Sequence, residues 1–561
     1  MAVTVAWKGN GRVSNADSTT GWTALKISGT GGGPSAAAAD GSLEGNGAVT
    51  CTVNKQRVAL YYDIGSGNEL DFTSGATGSG TAVTGEFVYV WINFLAAALL
   101  NNQSAGGIGI FLESSTPGTG QYHLWYFDGA DTYAGGWKRL VLDPNETVSA
   151  SAGTAIDLGA IRYFGVFGDV GGTTARFDNL ICDAIDVGNG LRVYGTGTTD
   201  DLMGDILTDE ATNRYGIITA LNSDGSAIEL LGELDIGDDV GTNATTVTDV
   251  DKKIFAGNPS YYDGTSVTTP IPLTAMGINC VGNATGATSI TIGKKVGTGD
   301  SASGRNGYTI VGNATYTVGI DWDDGNVNTN KWYGTTFELL GGTLSWSNSS
   351  THELIGCTFN DCAQFDPVGA IVMRAMTFVN YAGSADGALL WNENIDIQKS
   401  NFIANTRGVE HPSSAGTPYG YTDMVFSGNT YDVNNTSGTA ITINKSGTSN
   451  PSTYDTGQTS VTFTGSVPIT VTVVNAAGTA ITTAAVRIEE ADGTLVAQGD
   501  VNGSGVYSTT YGGSTPLAVT IKVRSSSSGE TRYFPVRTSG TIASSTGLVT
   551  TVSMTADDIA A

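Results

Sequence analysis

Residues 357–362 read CTFNDC, and the part that decides the fold is Thr358-Phe359-Asn360 between the cysteines. The phrase recurs. Aligning on an apolar residue five positions ahead of an aromatic gives Val311/Tyr316, Trp332/Phe337, Leu354/Phe359, Met373/Phe378, Ile397/Phe402 and Phe426/Tyr431. Thr or Asn precedes every ring, and successive rings are 21, 22, 19, 24 and 29 residues apart. Asn360, Asn380 and Asn405 follow theirs within three positions. A period near 22 residues with one fixed strand phrase suits a stack of coils, in which equivalent positions lie about 4.8 Å apart and inward apolar residues form a column. Turn asparagines then ladder through their amides.

The cysteines do not share this period. Two positions ahead of the ring, where Cys357 stands, the other repeats carry Ala314, Thr335, Met376, Ser400 and Asn429. A position filled by such different side chains does not demand a thiol, so Cys357 and Cys362 are expected to be small fillers rather than a metal or disulfide pair. With Cys51, Cys182 and Cys280 they make five, mostly far apart, which is not a disulfide framework.

The repeat resembles that of right-handed parallel β-helix proteins such as pectate lyases and phage tailspikes, over about residues 280–450. The resemblance implies a rigid stack with variable outer loops.

Composition agrees with an all-β chain. Glycine supplies 78 of 561 residues, about twice the usual share of roughly 7%, and charged residues are 14% against a usual figure of about 25%. Ser, Thr, Asn and Gly take the place of helix formers, as short strands and tight turns require. A net charge of −27 without a dense basic run argues against nucleic acid or anionic lipid as partner. The longest apolar stretch, residues 87–100, is 14 residues with an Asn inside, too short to span a bilayer. The N-terminus MAVTVAWKGNGRV lacks a basic start followed by an apolar core, so no signal peptide is expected.

Four regions follow. Residues 1–190 hold runs such as RVALYYDIG, GEFVYVWINF, YHLWYFDG and IRYFGVFGD, the phrasing of an antiparallel sandwich. Their close, WKRLVLD through ARFDNLICDAI with Asp178-Asn179, resembles carbohydrate-binding jelly rolls and concanavalin-like sandwiches. Residues 191–265 read as a connecting β region with a hairpin-like Asp224-Gly225 and no assigned function. Residues 266–455 carry the β-helix repeats. Residues 466–561 hold about seven short strands and resemble an Ig-like or carboxypeptidase-regulatory-like sandwich.

Neither HExxH, a CxxC pair, nor a nucleotide-binding glycine loop occurs, and no cofactor is expected. A polysaccharide-cleaving β-helix needs paired carboxylates. Asp386 and Glu410 each fall eight residues past a ring, with Asp366 seven past Phe359 and His411 alongside. Solvated loop acids are the ordinary explanation, so catalysis by Asp386 and Glu410 is the alternative reading. DWDDGN at 321–326 is oxygen-rich but lacks full EF-hand spacing, so an acidic turn is expected and a metal role stays unassigned. Trp125, Tyr133 and Trp137 are candidate glycan-binding rings, against the ordinary reading that at least two of them are core.

A surface-protein texture without a secretory leader fits a bacteriophage virion protein, assembled in the host cytoplasm and released by lysis. The expectation is a non-enzymatic particle-surface protein, a capsid decoration or fibre protein or part of the tail fibre or spike. It would contact other virion proteins and a host surface glycan, and resemblance to phage spikes and fibres implies a homo-oligomer, a trimer being the expected form. A tailspike depolymerase and a bacterial surface adhesin are the alternatives.

Overall fold

The computed structural model describes residues 3–557 except 45, 74–79, 172–176, 196–197, 239–241, 258–259, 263–275, 283–287, 314–317, 326, 347–350, 368–370, 383–384, 392–394, 466, 512–515, 526–530 and 544–545. The fold is nearly all β. Two compact units are present: residues 1–293, 306–331 and 337–345 form one, and residues 294–305, 332–336 and 346–561 the other.

In the first unit two sheets share one apolar core, antiparallel throughout except where Ser260–Tyr262 joins the second in parallel. One sheet takes Ala150–Ala152, Tyr122–Asp128, Ile108–Glu113, Tyr163–Asp169, Gln56–Asp63 and Trp22–Gly29 in that order. The other takes Ser260–Tyr262, Trp137–Leu142, Phe87–Phe94, Phe177–Gly188, Ala48–Asn54 and Ala37–Ala39. Val58, Leu60, Ile110 and Val166 from the first meet Val90, Ile92, Leu140 and Leu180 from the second.

The same unit then changes from antiparallel to parallel pairing. Leu191–Tyr194, Glu233–Gly237, Gly277–Gly282 and Gly319–Gly325 pair in parallel, as do Thr198–Thr199, Thr245–Asp249 and Thr288–Ile292, and likewise Ala227–Leu230, Lys253–Ala256 and Thr309–Val311. Residues 191–256 thus take part in the three-sheet pattern from its start. Asp224-Gly225 does sit in a hairpin, between Ile218–Ala220 and Ala227–Leu230. The exposed edge of the first coil is covered by Thr4–Trp7, antiparallel to Leu191–Tyr194. The single α-helix among the described residues, Leu202–Asn213, starts where the Asp201 carboxylate caps Gly204 N at 3.1 Å, and it buries Leu202, Met203 and Ile206.

Within the second unit the pairing is again parallel, between shorter strands. Glu353–Ile355, Val372–Arg374 and Asp396–Gln398 stack, with Leu354, Met373 and Ile397 in register. Thr358–Asn360, Thr377–Val379, Asn401–Ile403 and Val425–Ser427 stack with Phe359, Phe378, Phe402 and Phe426 in register. Ring centroids along this column are 5.3, 5.0 and 4.9 Å apart, and the planes are within 10° of parallel. The corner between these two sheets turns on one left-handed residue per coil: Gly356, Ala375, Lys399 or Asp423. The next corner does the same with Asp361, Asn380, Ala404 or Gly428. Amides freed at that corner are met by side chains one coil on. Tyr381 N donates to Asn405 Oδ1 at 3.1 Å and Asn405 N to Asn429 Oδ1 at 2.9 Å. Asn405 and Asn429 Nδ2 return bonds to the carbonyls of Phe378 and Phe402.

The repeat rule errs at its last member. Phe426 occupies the ring position, and Tyr421 lies five before it; Tyr431 belongs to another sheet, paired with Arg407. Phe426 satisfied the apolar slot of the rule as well as the aromatic one, which turned a 24-residue spacing into 29. At the other end Val311 pairs with Phe255 in the sheet that carries the rings, and Tyr316 and Ala314 lie outside the described residues. None of the five cysteines is in a disulfide, and Cys357 is buried with its Sγ toward the Trp332 carbonyl at 3.3 Å.

The last seven strands form a three-stranded sheet (Val506–Tyr511, Val467–Asn475, Leu548–Met554) and a four-stranded sheet (Leu495–Asp500, Ala484–Glu490, Leu517–Ser525, Val536–Ile542). Their shared core includes Ile469, Val471, Ile488 and Ile521.

Removing one ring from the column leaves a gap between two stacked neighbours. Phe402→Ala is expected to cost this unit about 3–5 kcal/mol in denaturant unfolding. Ala375→Gly, which relieves a left-handed alanine at φ 54°, is expected to stabilise it by about 0.5–1 kcal/mol.

Candidate functional site

Strand alternation decides which aromatic rings reach solvent. Along Tyr122–Asp128, Trp125 and Phe127 point into the core shared by the two sheets, while Tyr122, Leu124 and Tyr126 point to the opposite face. Trp125 is fully buried and its indole N–H donates to the Glu146 carbonyl at 3.0 Å. Tyr133 is buried too; its hydroxyl receives Phe94 N at 3.1 Å and donates to the Gly136 carbonyl, and burial pushes its phenol up to about 12. Neither ring offers a face to a sugar. Trp137 is half-buried and lines a cleft.

That cleft, of about 510 Å³, is built by Trp91, Trp137, Lys138 and Arg139 of the sandwich, Glu44 of a loop, and Glu210, Gly216, Thr219, Glu229 and Leu231 of the following region. Arg139 forms its floor with no solvent exposure of its side chain. It pairs with Glu44 and, at 3.1 Å, with Asp186, and its guanidinium lies 5.3 Å from the ring centres of both Tyr89 and Trp91. Arg12 joins the same two carboxylates, reaching Glu44 at 2.7 Å, and donates to the Arg214 carbonyl at 2.6 Å. The Trp91 indole N–H also donates to Glu44. Two guanidinium groups and two buried carboxyl groups thus meet in one network, which fixes the cleft wall.

Glu210 lies near the C-terminal end of the α-helix and accepts the amides of Tyr215 at 3.0 Å and Gly216 at 2.7 Å. Burial lifts its carboxyl to about 7, against the pull of these amides and of Arg139 and Arg12. Burial also raises Glu229. The cleft therefore offers one half-buried indole ring, Trp137, beside the buried Trp91, and a carboxyl group raised to about 7. Indole faces suit the C–H faces of a sugar ring, and carboxyl groups suit its hydroxyls.

The carboxylates considered for catalysis do not stack on each other. Leu390, not Asp386, is the residue paired with Glu410. Asp386 is exposed, whereas Glu410 is buried and accepts Gln364 Nε2, Gly387 N and Thr436 Oγ1, each at 2.9 Å. Those bonds tie neighbouring coils together. His411 beside it is buried, with Nε2 2.8 Å from the Tyr421 hydroxyl, and burial pulls it down to about 3, so it stays neutral. Asp366 is half-buried in Phe365–Pro367. Asp321 lies in the strand Gly319–Gly325 rather than in a turn, and the side chains of Asp323 and Asp324 are outside the described residues. Among the described residues no group of three or more His, Cys, Asp or Glu is placed to hold a metal.

Sequence reasoning missed Trp91, Glu44, Arg139 and Glu210. Arg139 alone left a trace, a cation amid the apolar WKRLVL strand. No known family model matches this chain, and no curated protein matches it either.

Removing the cleft floor leaves Arg12 as the sole cation against two buried carboxyl groups: Arg139→Met is expected to cost about 3–5 kcal/mol in denaturant unfolding. Glu210 gives a pH signature. Its folded value of about 7 exceeds the ordinary 4.5, so its stabilising contribution is complete below pH 4.5 and is lost as pH rises through about 7. Glu210→Gln is expected to flatten the fall in unfolding free energy across that window.

Proposed function

We propose that this chain is a non-enzymatic structural protein exposed on the surface of a bacteriophage particle. In this reading the parallel three-sheet pattern is a right-handed β-helix, carried between a jelly-roll sandwich and an Ig-like sandwich. It forms a homo-oligomer, a trimer being the expected form, docks onto other virion proteins and touches host glycan through the N-terminal sandwich. The observation that carries this reading is the in-register column Phe359, Phe378, Phe402 and Phe426, whose near-parallel rings favour a stiff scaffold. The Trp91–Trp137 cleft supports glycan contact as the task of the sandwich.

One observation favours a second reading, glycan cleavage. Glu210, poised near 7 inside an aromatic cleft with Glu44 and Glu229, has the protonation of a general acid. Cleavage would then belong to this cleft rather than to Asp386 and Glu410. Reducing-sugar release abolished by Glu210→Gln would favour it.

Antibody labelling of purified particles in electron microscopy is expected to place the chain on the particle exterior. Particles free of the label would sink the virion reading. On arrays of host surface glycans, Trp137→Ala is expected to lower binding about tenfold, as loss of one stacking ring of 1–2 kcal/mol implies.

A further inference from the structure

Residues 466–561 carry five Lys and Arg in all, and four of them, Arg487, Lys522, Arg524 and Arg537, line one groove of about 650 Å³ on the four-stranded sheet. Strand register puts them in line. Gln498 pairs with Arg487, Arg487 with Lys522, and Lys522 with Arg537, one residue from each of four neighbouring strands. Like charges directly opposite each other oppose sheet formation, so a row of three costs the fold unless something else uses it. Glu489 partly offsets the row, meeting Arg487 and Lys522 at 2.5 Å each. Among the described residues Arg524 and Arg537 have no carboxylate within ion-pair distance, and Asp500 is the one acid of those lining the groove. This concentration of positive charge stands in a chain of net charge −27.

We propose that this groove binds an acidic polysaccharide laid across the strands, its anionic groups facing the cations of three neighbouring strands. Neighbouring strands lie about 4.7–4.9 Å apart, and a polyuronate, which can rotate at each glycosidic bond, can turn several of its carboxylates toward a row of cations at that spacing. Single-stranded nucleic acid is held by base stacking on aromatic rings, and among the described residues no aromatic lines the groove. Gln498 at the end of the row supplies a neutral donor and acceptor for a sugar hydroxyl. The inference stands apart from the particle reading and from the Trp137 cleft.

The test titrates the full chain with polygalacturonate of uniform length, with dextran, oligothymidylate and polyglutamate of matched length as comparisons. The wild-type chain is expected to bind polygalacturonate in preference to all three. Lys522→Gln combined with Arg537→Gln is expected to weaken binding about tenfold or more at low salt and to lower the slope of log affinity against log salt by about 2. Arg532→Gln, which removes the one cation of residues 466–561 outside the groove, should leave this binding unchanged, which separates the groove from a general effect of charge. Absence of polygalacturonate binding, equal binding by the double variant, or tighter binding of oligothymidylate or polyglutamate would overturn the proposal. Arg537 is exposed on the outermost strand of its sheet, so Arg537→Gln alone, checked for an unchanged melting temperature, guards against loss of fold.

Discussion

A three-residue strand cannot satisfy its own backbone. Thr358–Asn360, Thr377–Val379 and Asn401–Ile403 each present amides and carbonyls whose partners are supplied by the strand one coil away, in parallel and in register. Everything else in the stack follows from this pairing. Once the backbones are in register at about 4.8 Å, the central side chain of each strand must lie on the central side chain of the next. Phenylalanine fits because a flat ring stacks near that spacing, as the 4.9–5.3 Å centroid separations show.

Corners are where parallel pairing stops, and there the sequence meets the backbone with side chains. Asn405 and Asn429 each bond in both directions to the preceding coil, so a peptide amide and a peptide carbonyl are satisfied by one residue. Ser400 and Ser449 do similar work at the other corner, receiving Met376 N at 3.2 Å and Met424 N at 2.9 Å. The left-handed residue at each corner is often not glycine, as Ala375, Lys399 and Ala404 show. Stacking over-determines those turns, which is how a backbone conformation unfavourable to an L residue persists. The outer surface is then free to vary without disturbing the column.

How much of this could be read from the sequence depended on whether a signal was local. A Thr or Asn followed by Phe recurred at coil spacing, so the ring column from Phe359 to Phe402 was legible, and Leu354, Met373 and Ile397 with it. The register failed at Phe426, where one residue fitted two slots of the rule. In the sandwich, aromatic content was visible but its facing was not: Trp125 and Tyr126 are neighbours in sequence and lie on opposite sides of one sheet. The cleft was hidden for a different reason. Glu44, Arg139, Asp186 and Glu210 are far apart in the chain, and only folding gathers them around a buried guanidinium. Acids in loops such as that of Glu44 look solvated until tertiary contacts exclude the water. The cationic row is similar, since Arg487, Lys522 and Arg537 align only through strand register.

Register of the parallel stack is the central claim, and disulfide trapping reads it directly. The structure pairs Asn401 with Val425, a 24-residue step, whereas the repeat rule ending on Tyr431 pairs Asn401 with Thr430, a 29-residue step. A separation of about 4.8 Å between paired Cα atoms lies inside the range of about 4.4–6.8 Å that a disulfide bridges. Under mild oxidation, Asn401→Cys with Val425→Cys is expected to cross-link quantitatively within the folded chain, and Asn401→Cys with Thr430→Cys to remain as free thiols. The reverse outcome would contradict the in-register ring column and the scaffold built on it.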